Sequence, residues 1–390
     1  MSKVLLLTAS FGDGHNQAAQ AVRETLESSG VTARVVDFVE WLHPAVRSFA
    51  KFSLIQGVQK TPALYGLFYQ STLRIKPESR LSKRLNHLGI EHLKKYLRNF
   101  APDVVVGTFP TPLGLMSELR SEGFTRTPSI AIVTDYTAHP QWIHNYTDYY
   151  CVASDSVRRE FIAYGLDSER IRVTGIPVRS KFDDSAVHTL LTHRDEIRRR
   201  LAVNPNVPLI LIMTGGAGVL TDVAGWEQIV QRTSAQFCII CGRNERLFRR
   251  LSTLASQRVR VLGFTDNIDE WMSIADLAVS KAGGLTVTES LAMELPMLLY
   301  RPIPGQERRN ARFMIQTGAA VHADNVKDAQ RILETLVQDP SRLMKMRDAA
   351  RAQRLGDGAR RIADSILTFM SGLPKTYDSR LENERISPFQ

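Results

Sequence analysis

Short apolar runs rich in Val, Ile and Leu alternate with helical stretches along most of the chain, and this pattern strongly constrains the fold. The first series is Lys3–Thr8, Ala33–Asp37, Asp103–Gly107, Ser129–Thr134, Tyr149–Ala153 and Ile171–Thr174. The second series is Val207–Met213, Gln236–Cys241, Val259–Leu262, Asp276–Ser280, Pro296–Tyr300 and Ala319–His322. Such runs are typical of parallel strands covered on both faces. The sequence therefore predicts an α/β fold with two doubly wound, Rossmann-like domains facing a cleft.

The domain limits follow from where the two series stop and start. A polar, charged stretch with Arg198-Arg199-Arg200 separates them, and helical sequence follows the second series. We predict a first domain over 1–178, a linker over 179–206, a second domain over 207–340, closing helices over 341–371 and a loose tail over 372–390. Helices are predicted at His15–Ser28 and Ser154–Tyr164, and the long stretch Trp41–Phe100 is predicted to hold several helices with loops.

Positive charge is concentrated in one segment. The chain of 390 residues carries a net charge of +10, and eleven Lys or Arg but only two acidic residues lie between Val46 and Asn99. Apolar and aromatic residues are interleaved with them: Phe49, Phe52, Leu54, Ile55, Tyr65, Leu67, Phe68 and Tyr69. This mixture suits an anionic membrane surface. It also suits nucleic acid, so the segment alone leaves both partners open.

The cellular location is predicted from three features. No apolar run approaches the ~20 residues that span a bilayer. The N-terminus enters a strand and a glycine-rich turn instead of forming a signal peptide. The three cysteines, Cys151, Cys238 and Cys241, are an odd and small number, which indicates a reducing compartment. We therefore expect a peripheral protein on the cytoplasmic face of the cell membrane.

Cys238 and Cys241 have the C-x-x-C spacing that occurs in zinc and redox sites. No second Cys/His pair lies nearby in the sequence, and the surrounding run is apolar. A buried strand is the favoured interpretation.

In open α/β sheets ligands bind at the carboxyl ends of the strands, so the loops that follow the strands are expected to carry the functional residues. After the first strand, Gly12 and Gly14 precede His15 at a predicted helix start. The positive end of that helix favours neutral imidazole, the form that a general base needs. Capping or packing is the alternative role for His15. The spacing differs from the G-x-G-x-x-G dinucleotide fingerprint, which argues against a nicotinamide enzyme.

Two further glycine-rich loops lie in the second half. Gly215 and Gly216, with Gly218, form a candidate phosphate nest, or simply a tight turn. Gly283 and Gly284 precede a helix predicted to start near Thr286, where a diphosphate could bind the peptide N–H groups and the Thr286 hydroxyl. Glu289, one turn further on, could accept hydrogen bonds from ribose hydroxyls, or act as a capping-box acid.

Two loops supply polar side chains. Gln306 and Glu307 follow the stiff Pro302-Ile303-Pro304-Gly305 and are suited to gripping sugar hydroxyls, although a solvated loop is the alternative. Asp135 follows a strand of the first domain and is a candidate acid/base or orienting group, or else a structural residue. Trp142 is either part of an interface, part of an acceptor channel, or structural.

These loops resemble a known family, the diacylglycerol glycosyltransferases that include plant monogalactosyldiacylglycerol synthases and bacterial processive diacylglycerol β-glucosyltransferases. The peptidoglycan N-acetylglucosaminyltransferase that makes lipid II is a more distant relative. The resemblance covers about residues 3–370. Its segments are Thr8-Ala9-Ser10-Phe11-Gly12-Asp13-Gly14-His15, Thr108-Phe109-Pro110, Val133-Thr134-Asp135, Gly175-Ile176-Pro177-Val178-Arg179, Lys281-Ala282-Gly283-Gly284 with Thr286 and Glu289, and Pro304-Gly305-Gln306-Glu307 with Asn310.

The resemblance implies a GT-B fold with the donor mainly in the second domain, and an inverting transfer without cofactor or required metal. His15 falls on the family's proposed general base, with Asp135 as a second catalytic candidate. Among the donor-binding positions, Glu289 falls on the ribose acid, Gln306 and Glu307 on the sugar pair, and Phe264 near uracil. The other donor-binding candidates are Gly14, Gly215, Gly216, Gly283, Gly284, Thr286 and Asn310. Segment 46–99 falls on the region that meets the membrane and admits the lipid.

This chain departs from the family in the loop Gly215-Gly216-Ala217-Gly218, where plant enzymes have a glycine run followed by an acid. It also lacks the proline that is common in relatives near Lys281-Ala282-Gly283-Gly284. The donor sugar and the details of diphosphate binding are the points that these departures affect.

The sequence thus predicts transfer of a hexose from UDP-glucose or UDP-galactose to diacylglycerol at an anionic membrane surface. Glucose is the favoured donor sugar, and successive transfers are compatible with the resemblance. The rivals are an N-acetylglucosaminyltransferase acting on a polyprenyl-linked acceptor, a UDP-sugar epimerase on the same fold, and a nucleic-acid-binding protein. The polar loops at the strand ends have no role in the last, so nucleic acid is not the expected partner.

Overall fold

The computed structural model describes residues 2–10, 13–41 and 89–372, and two parallel six-stranded sheets organise this part of the chain. The first sheet has the order β2-β1-β3-β4-β5-β6, and the second has the order β12-β11-β10-β7-β8-β9. The strands are β1 (Lys3–Thr8), β2 (Thr32–Asp37), β3 (Val104–Gly107), β4 (Ser129–Ile132), β5 (Tyr149–Val152), β6 (Ile171–Val173), β7 (Leu209–Met213), β8 (Gln236–Ile240), β9 (Val259–Leu262), β10 (Leu277–Ser280), β11 (Met297–Tyr300) and β12 (Ala320–Ala323). The predicted α/β class with two doubly wound domains is confirmed.

Helices cover the sheets. In the first domain they are α1 (Asp13–Ser28), α2 (Ile90–Phe100), α3 (Pro110–Ser121) and α4 (Asp155–Ala163). The segment 179–206, predicted as a linker, contains α5 (Asp184–Thr192) and α6 (Arg194–Arg200). The remaining helices are α7 (Val223–Arg232), α8 (Glu245–Leu251), α9 (Ile268–Ile274), α10 (Gly284–Ala292), α11 (Gln306–Gln316), α12 (Val326–Gln338), α13 (Pro340–Ala352) and α14 (Gly358–Ser371).

The strand register places the loops that matter next to one another. Leu7 of β1 pairs with Gly107 of β3, and Gly107 pairs with Ala131 of β4. The three strands therefore end at nearly the same level. Because they are parallel, the loops that follow them lie side by side at one edge of the first sheet.

The two domains share an apolar core. One continuous cluster of buried side chains includes Val133 and Tyr136 of the first domain, the crossover residue Ile176, and Leu285 of the second. The Tyr136 and Phe313 rings stack across the boundary with centroids 4.4 Å apart. Packing of this kind fixes the facing edges of the two sheets against each other.

The last helix returns to the first domain. Ile362, Ala363 and Ile366 of α14 are buried in one cluster with Val4 of β1 and Val22 of α1. Within the described residues, the chain therefore returns from the second domain to the first at α14.

Most of the basic segment 46–99 lies outside the described residues, as does the predicted tail beyond residue 372, so the structure does not test either prediction. Among the helices in the described ranges, none combines the length and the apolarity that crossing a bilayer requires. Cys151, Cys238 and Cys241 are all buried and free. The interpretation of the C-x-x-C pair as part of a buried strand is confirmed for Cys238, which lies in β8, while Cys241 directly follows that strand.

Candidate functional site

His15 lies in the first turn of α1, directly after the loop that follows β1. Its Nδ1 is 2.8 Å from the Thr108 carbonyl oxygen and 3.0 Å from the Thr134 hydroxyl. A carbonyl oxygen can only accept, so in the neutral ring Nδ1 carries the proton and donates it to Thr108. The Phe109 ring stands edge-on to the imidazole with centroids 5.1 Å apart. These contacts fix the ring and leave the lone pair on Nε2.

Asp135 follows β4 and acts electrostatically on His15. Its side chain is buried, with 8% of the residue exposed. Burial raises the pKa of Asp135, whereas a hydrogen bond from Asn310 and the nearby His15 act to lower it. Burial likewise lowers the pKa of His15, and the Asp135 carboxylate opposes that effect. The imidazole is therefore neutral at neutral pH, the state required of a general base.

Asn310 of α11 connects the second domain to this group. The residue is completely buried. Its Nδ2 donates to Asp135 Oδ1 at 2.9 Å and to the Ala282 carbonyl at 3.0 Å, and its Oδ1 accepts the Tyr136 N–H at 2.8 Å. Both halves of the amide are thus used by protein groups. The structure places Asn310, predicted as a donor-binding residue, in the contact between the domains.

Gly284 and Gly14 lie where the two domains meet. The predicted helix start near Thr286 is wrong by two residues, because α10 begins at Gly284 with Gly283 as its N-cap. A Cβ on Gly284 would lie 2.0 Å from the Thr134 carbonyl oxygen. A Cβ on Gly14 would lie 3.7 Å from Leu285 of α10. The absence of a side chain at Gly284 therefore allows the N-terminus of α10 to reach the loop after β4.

Glu289 of α10 is buried and pairs with Arg179, which follows β6. Glu289 Oε1 accepts a hydrogen bond from Arg179 Nη2 at 3.1 Å. Burial raises the pKa of Glu289, and the Arg179 guanidinium acts to lower it. Arg179 belongs to a segment that resembles the family, but it was not predicted as a site residue. Its position in the segment that follows the last strand of the first sheet was the signal that could have identified it.

A second group of residues surrounds Phe264 of the second domain. Phe264 is 54% exposed, and the Arg243 guanidinium lies over its ring at 4.6 Å from the centroid. Arg243 Nη1 is also 3.3 Å from Asp13 Oδ2 in the first domain. A Cβ on Gly216 would lie 2.0 Å from the same oxygen. Arg243, which sequence reasoning missed, therefore joins the predicted uracil position to the start of α1.

Gln306 and Glu307 begin α11, after Gly305, whose φ of 112° requires glycine. Glu307 Oε2 accepts the Ile303 N–H at 3.0 Å. Burial raises the pKa of Glu307; Lys281 acts to lower it, and Asp135 acts to raise it. Glu307 is thus an electrostatic neighbour of both the Lys281 ammonium and the Asp135 carboxylate of the first domain.

The structure brings most of the predicted residues to facing strand ends. His15, Asp135, Gly284, Asn310 and Glu307 form one group, Glu289 lies with Arg179, and Phe264, Gly216 and Asp13 form another. Thr286 is half-buried in the first turn of α10, and Gly215 is exposed with a φ of 75°. Trp142 is 1% exposed and belongs to the apolar cluster that both domains share, so it packs in the core.

The described residues contain no cluster of three or more His, Cys, Asp or Glu side chains that could hold a metal ion. What they do contain is a neutral base, a helix N-terminus and a buried carboxylate around one cleft. Such a set can take a proton, bind an anion and accept hydrogen bonds from hydroxyls.

Known proteins match this chain in both halves. Residues 15–178 match the family profile of monogalactosyldiacylglycerol (MGDG) synthase, and residues 209–366 match the glycosyltransferase family 28 C-terminal domain. The chain is 32% identical over 370 residues to a processive diacylglycerol beta-glucosyltransferase of Bacillus cereus strain G9842, covering 94% of this chain and 93% of that protein.

Solved structures agree on the fold. MurG of Acinetobacter baumannii superposes with a TM-score of 0.62 at 16% identity, covering 94% of this chain and 100% of that one. MnaA of S. aureus, solved with UDP, superposes with a TM-score of 0.65 at 15% identity, covering 96% and 98%. These similarities show the GT-B fold. The chain belongs to the family of diacylglycerol glycosyltransferases related to monogalactosyldiacylglycerol synthase.

Proposed function

We propose that this protein transfers a hexose, glucose in preference to galactose, from a UDP-sugar to the free hydroxyl of diacylglycerol with inversion at the anomeric carbon. The observation that carries the proposal is the fixed, neutral His15 ring, whose Nδ1–H donates a hydrogen bond to the Thr108 carbonyl oxygen. Its Nε2 takes the proton of the lipid hydroxyl while that oxygen bonds to the anomeric carbon. The bond from the anomeric carbon to UDP breaks, and UDP leaves with the electron pair.

The donor is assigned to the loops of the second domain. The N-terminus of α10, with the Thr286 hydroxyl, suits the diphosphate because its peptide N–H groups and dipole stabilise the charge that grows as UDP leaves. Glu289 suits the ribose hydroxyls, Phe264 the uracil ring, and Gln306 with Glu307 the sugar. This arrangement supplies the leaving-group stabilisation from the protein itself, and we propose that no metal is required.

The proposed lipid acceptor is supported by the charge of one segment and by the family to which the chain belongs. The basic, aromatic segment 46–99 has the composition of a surface that binds anionic lipid. The similar Bacillus protein is named for diacylglycerol as acceptor and for processive action. We therefore propose a peripheral enzyme on the cytoplasmic face of the membrane that can add more than one sugar in succession.

The test is incubation of the protein with labelled UDP-glucose or UDP-galactose and vesicles of diacylglycerol in anionic phospholipid, followed by lipid chromatography. The expected result is a labelled glycolipid from UDP-glucose, formed equally well in EDTA, whose NMR coupling constant identifies a β-linkage. An α-linked product would contradict inversion, and loss of activity in EDTA would contradict metal independence. Transfer of N-acetylglucosamine to a polyprenyl-linked acceptor, or epimerised UDP-sugar without lipid product, would support the rival functions.

A further inference from the structure

The second domain contacts the loop Thr134–Tyr136 of the first domain at three successive residues. Gly284 packs against the Thr134 carbonyl, and Asn310 bonds to the Asp135 side chain and the Tyr136 N–H. The Thr134 hydroxyl in turn contacts His15 Nδ1. The residues that orient His15 and set its electrostatic surroundings are therefore themselves held by the other domain.

We propose that Asn310 is a positioning residue, which keeps Asp135 ionised and correctly oriented beside His15 and so makes the base depend on contact between the two domains. This inference rests on the proposed function, because it takes His15 to be the base. Asn310 acts through Asp135 and does not itself touch the reacting atoms.

The hydrogen bonds around Asn310 define which way its amide points. Oδ1 accepts the Tyr136 N–H, and Nδ2 donates to two oxygens, Asp135 Oδ1 and the Ala282 carbonyl. A flipped amide would place an N–H against the Tyr136 N–H and an oxygen against two acceptors. The amide can therefore present only a donor to Asp135, and a donor favours the ionised carboxylate.

The charged groups around Asp135 make this donor important. His15 of α1 faces it and favours the ionised form. Glu307 of α11 is a like charge beside it, and Lys281 offsets the charge of Glu307. Burial also disfavours the carboxylate. Once ionised, Asp135 stabilises the imidazolium that forms when His15 accepts a proton.

The test removes the donor with Asn310→Leu, a substitution that keeps the branching at Cγ and the number of side-chain heavy atoms. The active form carries His15 neutral and Asp135 ionised, and the first proton that the pair binds inactivates it. Without the Asn310 donor the pair binds that proton at higher pH, so the acidic limb of the kcat/KM profile moves up by about one pH unit. We expect kcat at neutral pH to fall about 10- to 100-fold, with the Kd for UDP within about twofold of wild type.

A double-mutant cycle with Asp135→Asn separates positioning from general damage. If Asn310 acts through Asp135, Asn310→Leu causes no further loss of kcat in the Asp135→Asn background. Additive losses with an unshifted acidic limb would overturn the proposal. Should Asn310→Leu fail to fold, Asn310→Ser, which keeps a small polar group, serves for the same cycle.

Tyr136→Phe is the matched control. It removes another hydrogen bond between the domains, from the Tyr136 hydroxyl to Thr288 Oγ1 at 3.0 Å, and leaves the partners of Asp135 in place. We expect a lower Tm and an acidic limb at the wild-type pH. If Tyr136→Phe shifted the acidic limb of the kcat/KM profile as much as Asn310→Leu does, the result would contradict the inference. Full activity of His15→Ala would instead contradict the proposed function, whatever Asn310 does.

Discussion

Gly284 approaches Thr134 so closely that a Cβ built on the glycine would lie 2.0 Å from the Thr134 carbonyl oxygen. That oxygen belongs to the backbone and cannot rotate away, so any side chain at position 284 must push α10 away from the first domain. The glycine pair at the start of α10 therefore has a steric role as well as the predicted role in binding phosphate.

We accordingly predict that Gly284→Ala lowers the stability of the protein by about 1–3 kcal/mol, the usual cost of overpacking. Gly283→Ala is the comparison, because its Cβ would meet nothing nearer than Thr286 Oγ1 at 3.7 Å. Thermal unfolding followed by circular dichroism compares the two. Equal Tm values for both variants would show that the close contact with Thr134 does not matter.

His15→Ala should lower kcat by roughly 10²- to 10⁴-fold, the usual contribution of a general base, while the Kd for UDP stays nearly unchanged. Glycolipid formation gives kcat, and calorimetry gives the Kd. His188→Ala, at an exposed position on α5, is the control and should behave as wild type. A similar loss of UDP binding and turnover in His15→Ala would place His15 in the donor site instead.

Glu289→Gln keeps the volume of the side chain but removes the charge that pairs with Arg179. If Glu289 accepts both ribose hydroxyls, the Kd for UDP should rise about tenfold or more, because charged acceptors bind more strongly than neutral ones. Glu294→Gln removes the charge of another buried carboxylate, which pairs with the partly exposed Arg351 and Arg354, and should lower the Tm without changing the Kd. Unchanged UDP affinity in Glu289→Gln would remove the ribose assignment.

His144 should make the protein less stable in mild acid. Burial lowers the pKa of His144 to about 4, although hydrogen bonds to backbone carbonyls oppose this. The unfolded chain binds a proton near pH 6.5 that the folded chain refuses until about pH 4, so stability falls as the pH drops through this interval. Between pH 7.5 and pH 5 this one group should cost about 2 kcal/mol.

His144→Gln tests this expectation, because it removes the titrating group. The Tm of the variant should fall less between pH 7.5 and pH 5 than that of wild type, whereas His188→Gln should leave the wild-type slope. Burial also lowers the pKa of His139 to about 4. His139 is present in every variant, so part of the decrease in Tm with falling pH should remain in all of them. Identical slopes for wild type and His144→Gln would show that the protonated ring is accommodated in the folded state.

The sequence was most informative where local pattern decides structure. The run Lys3–Thr8 is a strand with the predicted bounds, because a continuous apolar run bounded by polar residues has few other ways to be buried. Val259–Leu262 also has the predicted bounds, although Arg260 interrupts its apolar sequence. The start of α10 was placed two residues too late. Glycines carry little local preference for the first turn of a helix, and here tertiary packing fixed it.

Contacts between distant residues could not be predicted in the same way. The motifs identified His15, Asp135 and Asn310 as candidate site residues. They did not predict the hydrogen bond between Asn310 and Asp135, which are 175 positions apart in the sequence. Likewise, the glycine at 216 suggested a phosphate nest and gave no indication of Asp13 against it. Residue type indicates which chemistry a side chain can perform. Which other residue it contacts depends on how the two sheets pack against each other.

The return of α14 to the first domain has a consequence for synthesis. Ile362 and Ile366 fill a core whose other members, such as Val4 and Val22, are translated more than 300 residues earlier. The amino-terminal half emerges from the ribosome with that apolar surface exposed. The surface stays exposed until α14 has been synthesised and packs against it. A fragment ending before residue 358 would expose the same surface permanently, and we expect it to aggregate even though both sheets are complete.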